Sequence, residues 1–238
     1  MSIESLIDLS IVSLQMKQIV KKTLNKRKLE YAIEKGWDDI ASNGKLEGIT
    51  LLHKYNIFGC SVNTMDNAAE NGHLEIVKFL HDHRSEGCTS FAKDLATKEG
   101  HIEIVKFLHY NRPECLTSNA LYLSLLYGYI HIAEWLKNNT DDGWCPEYIL
   151  IDCCERNILS SLRWLYKNCP HFFEQLIPEL IIKKIILSNY VDVIKFIYGK
   201  CNFDILYAQQ IAEYYGKYEI EDFFNECIDK MCYGSFIP

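Results

Sequence analysis

Apolar positions along this chain recur in a pattern that predicts pairs of short helices. Between Leu74 and His83 the apolar positions form a face wider than a single stripe, and charged residues occupy the rest. A helix packed between two neighbours needs such a wide apolar face. A shorter helix is predicted just before it, over about 64–71, and Gly72 separates the two. Glycine in the left-handed conformation commonly ends a helix.

This helix pair is one copy of a repeat. The sequence of residues 71–81 returns almost unchanged at 99–109, an offset of 28 residues. Asn replaces Gly at the turn in two copies, which is consistent because Asn also tolerates the left-handed conformation. We therefore predict an all-α array of six or seven stacked helix pairs. The seven turn residues are Gly44, Gly72, Gly100, Gly128, Asn157, Asn189 and Gly216.

Three segments are expected from this pattern. Residues 36–145 hold the clear repeats, and residues 146–238 hold degenerate copies and a C-terminal cap. Residues 1–35 form a basic and apolar capping segment, because the end of a stacked array must cover its apolar face. The side chains expected to turn towards the array are Leu6, Ile11, Leu14, Ile19, Val20 and Leu24.

Composition and hydropathy narrow the class of protein. The 238 residues are 48% hydrophobic and 24% charged, with 12 Gly and 5 Pro, which excludes general disorder and a turn-rich all-β fold. No apolar stretch is long and uncharged enough for a membrane span. The N-terminus lacks the positive region of a signal peptide, so we expect an intracellular, cytoplasmic protein, with a nuclear location left open.

Charge is unevenly distributed along the chain. The net charge is −7, but residues 17–28 carry six cations and no acid, so the rest carries −13. Such an acidic body makes binding to nucleic acid an unfavoured prediction. The basic segment has three possible interpretations: a nuclear-import or RNA-contacting segment, an interaction helix, or the solvated face of the capping helix. The third fits best, because the end of a stacked array must cover its apolar face. Its cations are Lys17, Lys21, Lys22, Lys26, Arg27 and Lys28.

Cysteines and histidines follow the repeat rather than the spacing of a reactive site. Most linker cysteines precede a helix-start residue such as Ser61, Thr89 or Asn202, so we interpret them as small apolar residues at junctions, without disulfides. The adjacent Cys153 and Cys154 are expected to be inert buried thiols. The six linker cysteines are Cys60, Cys88, Cys115, Cys145, Cys169 and Cys201.

Neither a metal site nor a catalytic site is predicted. His53, His81 and His109 recur every 28 residues, and equivalent positions of stacked helices lie roughly 10 Å apart, too far for one ion. His73 and His101 are expected to hydrogen-bond across the helix–helix turn. No glycine-rich phosphate loop occurs. We expect no enzyme activity, no cofactor and no small-molecule substrate.

The run Ala68–Leu80 resembles the ankyrin repeat, whose helix–Gly-His–helix core is nearly complete there. The Glu-Gly-Cys-Thr linker at 86–89 and the Lys-Phe-Leu-His helix ends are similar to a divergent ankyrin group of giant DNA viruses (mimivirus-like) and amoebae. The usual ankyrin period is about 33 residues. The shorter period here implies an α-solenoid of ankyrin-like helix-turn-helix repeats with shortened β-hairpin fingers.

The resemblance implies a monomeric, non-catalytic scaffold or adaptor that binds a protein partner, viral or host, through its concave helix face. In that family the two residues before each turn glycine are exposed on this face. A competing interpretation places Leu126 and Tyr127 in the core. Two competing functions are a nuclear or nucleic-acid-associated factor acting through residues 17–28, and a structural component without a specific ligand. We call the following residues the pre-turn row: Glu70, Asn71, Lys98, Glu99, Leu126, Tyr127, Glu155 and Arg156.

Overall fold

The computed structural model describes residues 3–113, 119–140, 148–174 and 177–233, with side chains from Lys22 onward except those of residues 172, 232 and 233. The regular elements in these parts are all helices, and no strand occurs in them. The helices are α1 (Ile3–Ser42), α2 (Leu46–Lys54), α3 (Val62–Glu70), α4 (Leu74–His83), α5 (Ser90–Lys98), α6 (Ile102–Asn111), α7 (Asn119–Leu126), α8 (Ile130–Asn139), α9 (Ile149–Glu155), α10 (Leu159–Asn168), α11 (Glu179–Leu187), α12 (Val191–Ile197), α13 (Ile205–Tyr214) and α14 (Tyr218–Tyr233), with a 3₁₀ helix at Pro170–Glu174.

The predicted all-α class is confirmed, but the predicted fingers are not seen in the residues that the structure describes. Between α4 and α5 the chain runs through the short loop 84–89, which contains no β-hairpin. A loop of this length leaves little room for paired strands beyond its turn. Trp37 lies near the same end of the unit and donates from its indole nitrogen to the carbonyl of Ile57 at 3.1 Å. The Arg84 guanidinium lies 5.1 Å from the Trp37 ring centroid.

The chain divides into two compact units, Met1–Thr117 and Ser118–Pro238. In the first unit α1 loses helical geometry at Gly36 (φ 79°, ψ 172°), so its last turns pair with α2. The first helices of successive pairs, α1, α3 and α5, are in much more extensive contact than the second helices, α2, α4 and α6. Alanines permit this close approach, because Ala68, Ala69, Ala92 and Ala96 are fully buried.

The second unit repeats the arrangement with larger side chains. Each of the first helices α7, α9, α11 and α13 contacts the next one in this order. The second helices α10, α12 and α14 likewise contact one another in order. The Ser161 hydroxyl donates to the Leu125 carbonyl at 2.5 Å, which ties α10 to α7. Phe173 is buried and packs edge-on against Tyr166 and Phe196.

The predicted turns and two of the predicted caps are confirmed. Gly72 has φ 80°, and Asn157 and Asn189 have φ 59° and 58°. Ser61 accepts from the Asn63 amide and Thr89 accepts from the Phe91 amide, at 3.2 and 3.1 Å. Each bond satisfies an amide that the helix itself leaves without a partner.

Two expectations about the linkers are wrong. Asn202 does not cap α13, because the Asp204 carboxylate accepts from the Leu206 and Tyr207 amides instead. The Asn202 amide donates to the Glu174 carbonyl. Cys88 is disulfide-bonded. The linker cysteines Cys115 and Cys145 lie outside the described residues, whereas Cys169 and Cys201 are buried free thiols as expected.

Candidate functional site

A chain of histidine contacts fixes the turns of the first unit. The Nε2–H of His73 donates to the carbonyl of Ser42 at 2.9 Å, and that of His101 donates to the carbonyl of Glu70 at 3.1 Å. Each histidine therefore binds the pair before its own. The prediction of a bond across the turn of the same pair is wrong, because each ring extends over the turn glycine of the preceding pair.

The glycines under these rings are required for two reasons. Gly44 and Gly72 have positive φ values of 70° and 80°, which residues with a side chain adopt at a cost. A Cβ at Gly44 would also lie 2.6 Å from Cε1 of the His73 ring, and a Cβ at Gly72 would lie 2.7 Å from Cε1 of His101. The histidine ring of one pair therefore covers the turn glycine of the pair before it.

A second set of contacts joins the first helices and was missed in the sequence. The buried Asp66 accepts from the amide of Thr89 at 2.9 Å and from its hydroxyl at 2.5 Å. Asp38 accepts from the Thr64 hydroxyl at 2.5 Å. Burial raises the pKa of the Asp66 carboxyl, and the hydrogen bonds from Thr89 partly oppose that rise. The signal was available, since Asp38, Asp66 and Asp94 recur at the 28-residue spacing.

In the first unit the structure brings part of the pre-turn row together. Ser42, Glu70, Asn71, Glu99 and His101 line an open depression of about 570 Å³. The Asn71 amide donates to the Ser42 hydroxyl at 3.2 Å, so it is held in place. Among the described residues the Glu70 carboxylate has no hydrogen-bond or ion-pair partner, which leaves it available to a ligand.

Exposure within the pre-turn row alternates. The second residue of each pair is exposed and the first is at least half-buried. Leu126 stands at a first position and is only 6% exposed, so the expectation of an exposed Leu126 is wrong. Burial of Leu126 is favourable because it removes an apolar side chain from water. Tyr127 stands at a second position and is 41% exposed. The exposed second residues are Asn71, Glu99, Tyr127 and Arg156.

Two of the three charged first residues of the row, Lys98 and Glu155, form ion pairs. Lys98 lies 3.0 Å from the carboxylate of its neighbour Glu99. In the second unit Lys184 of α11 lies 2.5 Å from the Glu155 carboxylate of α9. Such pairs on the surface contribute little to stability. They do, however, orient the Lys98 and Glu155 side chains.

The basic segment 17–28 is solvated where the structure describes its side chains. Lys22, Lys26 and Arg27 are exposed, whereas Lys28 is half-buried and lies 2.6 Å from Glu47 of α2. Leu24 is 49% exposed, so its expected burial against the array is wrong. Lys28, four residues further along the helix, forms the ion pair with Glu47 of α2. The side chains of Lys17, Lys21 and the remaining apolar capping positions lie outside the described residues.

Several of the histidines and cysteines are packed among other side chains. The rings of His53 and His81 contact Phe79 and Phe107 edge-on, at 5.5 and 5.3 Å between centroids. In the described part of the chain no three His, Cys, Asp or Glu side chains are grouped as metal ligands. Cys153 and Cys154 are fully buried, and burial raises the pKa of the Cys154 thiol.

Two further thiols and one phenol also have raised pKa values. Burial raises the pKa of Cys169 to about 11 and that of Cys201 to about 12. Thiols with such pKa values are poor nucleophiles at neutral pH, because the thiolate is the reactive form. Tyr122 donates to Asp152 at 2.8 Å, and burial together with this bond raises its pKa to about 12.

Comparisons with known proteins do not assign the chain to a family. No protein-family model matches the sequence, and no curated protein matches it significantly. No helix within the described ranges is both long and apolar enough to cross a membrane.

Proposed function

We propose that this chain is a non-catalytic binding scaffold, an α-solenoid of divergent ankyrin-like helix pairs that holds a protein partner on its pre-turn row. One observation carries the proposal. The second residue of each row pair is exposed, while histidine and aspartate contacts hold the first unit's turns and helices beneath it. A surface whose backbone is already ordered loses little conformational entropy on binding.

The chemistry of the row suggests how the partner would be held. In the first unit Glu70 and Glu99 face one depression, so we expect a basic side chain of the partner there. In the second unit the exposed Tyr127 offers an aromatic contact, and aromatic residues dominate the energy of many interfaces. The resemblance to repeats of giant DNA viruses and amoebae supports an intracellular partner, from the host or from the source itself.

A charge-reversal experiment tests this function. Wild-type protein and a Glu70→Lys, Glu99→Lys variant are cross-linked in amoebal lysate, and the captured proteins are identified by mass spectrometry. The matched control is Glu75→Lys, Glu103→Lys, which makes the same charge change in the same two repeats on their second helices. Those two glutamates form only exposed pairs with Lys78 and Lys106, at 2.9 and 2.8 Å.

The two variants should separate specific capture from general charge effects. We expect a set of proteins that the row variant loses and the control retains. Replacing Tyr127 by Ala should weaken capture of the same set without unfolding the chain, which circular dichroism checks. A captured set that both charge reversals leave unchanged, or reduce equally, would refute binding through the row.

A further inference from the structure

The first unit has a second concave feature, at its N-terminal end. An open groove of about 490 Å³ lies between α1 and α2, and it shares no residue with the depression of the pre-turn row. Its walls include Tyr31 and Ile40 of α1 and Leu46 of α2. Because Gly36 interrupts α1, residues on both sides of the break face the same groove. Most of its wall is apolar.

Close packing of the backbone shapes this groove at two glycines. Gly44 and Gly48 both line it and contribute no side chain. A Cβ at Gly48 would lie 2.8 Å from the Cγ2 of Ile40, so α2 and the end of α1 approach as closely as these residues allow. The close approach of α2 to the end of α1 at Gly48 therefore shapes this side of the groove.

The rim of the groove is positively charged. Lys28 is already neutralised, because its ammonium donates to both carboxylate oxygens of Glu47 at 2.7 and 2.6 Å. Arg27 and Lys45 also line the groove, and neither has a hydrogen-bond or ion-pair partner among the residues described. Lys45 stands at the start of α2, which has no side-chain cap there. The groove thus combines an apolar wall with two cations free to bind.

We infer that this groove binds an acidic segment of a partner protein, with one large apolar side chain inserted between Tyr31 and Leu46. Carboxylates flanking that side chain would bind Arg27 and Lys45. An arginine guanidinium suits this role because it can hold a carboxylate through two parallel hydrogen bonds. The volume of the groove falls within the range of known ligand-binding pockets, which measure a few hundred Å³ or more.

This occupant fits the groove better than a nucleic acid does. A phosphate backbone gains affinity from many cations in a row, and here only two cations without a described partner line the groove, together with the acidic Glu47. Tyr31 is 48% exposed, so an apolar anchor packed against it would remove aromatic surface from water. Apolar contact supplies affinity, and the two cations select for acidic flanks.

The test uses the full-length chain and a random peptide display library. We expect the enriched peptides to share one Leu, Phe or Trp flanked by Asp or Glu. A representative labelled peptide should then bind wild type in fluorescence anisotropy. Its affinity should fall about tenfold or more in an Arg27→Glu, Lys45→Glu variant, a difference of the size that losing one good ion pair produces. It should also weaken as salt rises.

Matched variants distinguish binding in this groove from a general effect of charge or of misfolding. A Lys22→Glu, Lys26→Glu variant makes the same charge change on the same helix outside the groove, and it should retain affinity. Tyr31→Ala should weaken binding without changing the circular dichroism spectrum. The Glu70→Lys, Glu99→Lys variant should bind the peptide normally, so failure of the pre-turn row and failure of this groove are distinguishable.

Three results would overturn the inference. The first is enrichment of peptides without acidic residues or an apolar anchor, or no enrichment at all. The second is an equal loss of affinity in the groove variant and in the Lys22→Glu, Lys26→Glu control. The third is self-association of wild type in sedimentation experiments that the groove variant abolishes, since the occupant would then be a second copy of this chain.

Discussion

Replacing Gly72 by Ala should destabilise the first unit more than the same replacement at Gly128 destabilises the second. Both glycines have left-handed backbones, with φ 80° and 77°, and Ala in that conformation costs about 1–2 kcal/mol. At Gly128 the new Cβ would meet Cγ2 of Ile158 at 3.4 Å and Oγ of Ser160 at 3.7 Å, which are ordinary van der Waals contacts. The expected cost there is the backbone cost alone.

At Gly72 the new Cβ would lie 2.7 Å from Cε1 of the His101 ring, so the ring must move. Moving it breaks the 3.1 Å hydrogen bond to the Glu70 carbonyl, which contributes about 0.5–1.5 kcal/mol. The total cost at Gly72 is then about 1.5–3.5 kcal/mol. The difference between the two sites measures the histidine contact.

Native-state hydrogen exchange, resolved by peptide, measures each unit separately, so the two need not unfold together. The control is the cycle with His101→Ala, which removes the ring. In that background Gly72→Ala should cost no more than Gly128→Ala, because only backbone strain remains. If the two substitutions cost the same in wild type, or if removing His101 leaves the cost at Gly72 unchanged, the histidine does not constrain this turn.

Four further predictions rest on burial and hydrogen bonding. Asp66→Ala should cost about 1–3 kcal/mol in urea unfolding, because Thr89 loses an acceptor. Because burial raises the pKa of Asp66 above 3.8, folding favours the protonated form of this carboxyl. Relative to Asp66→Asn, wild type should therefore gain stability as pH falls through the raised pKa. The gain should be complete below pH 3.8 and should be lost as pH rises. Iodoacetamide at neutral pH should modify the half-buried Cys60 before Cys154, Cys169 and Cys201, as peptide mass spectrometry would show; equal rates would contradict the burial. Leu126→Asp should destabilise the second unit by about 2 kcal/mol or more, whereas Tyr127→Asp should change thermal stability by less than about 0.5 kcal/mol, and equal effects would contradict the alternating exposure.

The helix pairs were predictable because their signals are local. Helix α4 begins and ends at the predicted residues, Leu74 and His83, and α3 begins two residues before the predicted Thr64. Apolar spacing, a capping serine and a turn glycine all act within one copy of the repeat. The same signals allowed Asn157 to be assigned to a turn.

Contacts between copies were harder to predict, because a single copy does not show what lies over it. His73 was assigned to its own turn, although its hydrogen-bond partner is Ser42 of the preceding pair. The burial of Leu126 depends on how deeply the first row position lies between adjacent helices, which periodicity alone does not give. The groove beside Arg27 depends on the backbone break at Gly36, and helical periodicity contains no signal for its geometry.

The histidine that covers each early turn makes the sequence of one repeat depend on the repeat after it. Gly44 and Gly72 each lie beneath a ring from the following pair, so neither position can accept a side chain while that ring remains. Asn157 and Asn189 occur where the following pair offers Tyr190 or Lys217 at the corresponding place. The histidine would therefore have to be lost before the turn glycine of the preceding pair could be replaced. Deletion of one internal helix pair would be tolerated best where the new junction still places a histidine over a turn glycine.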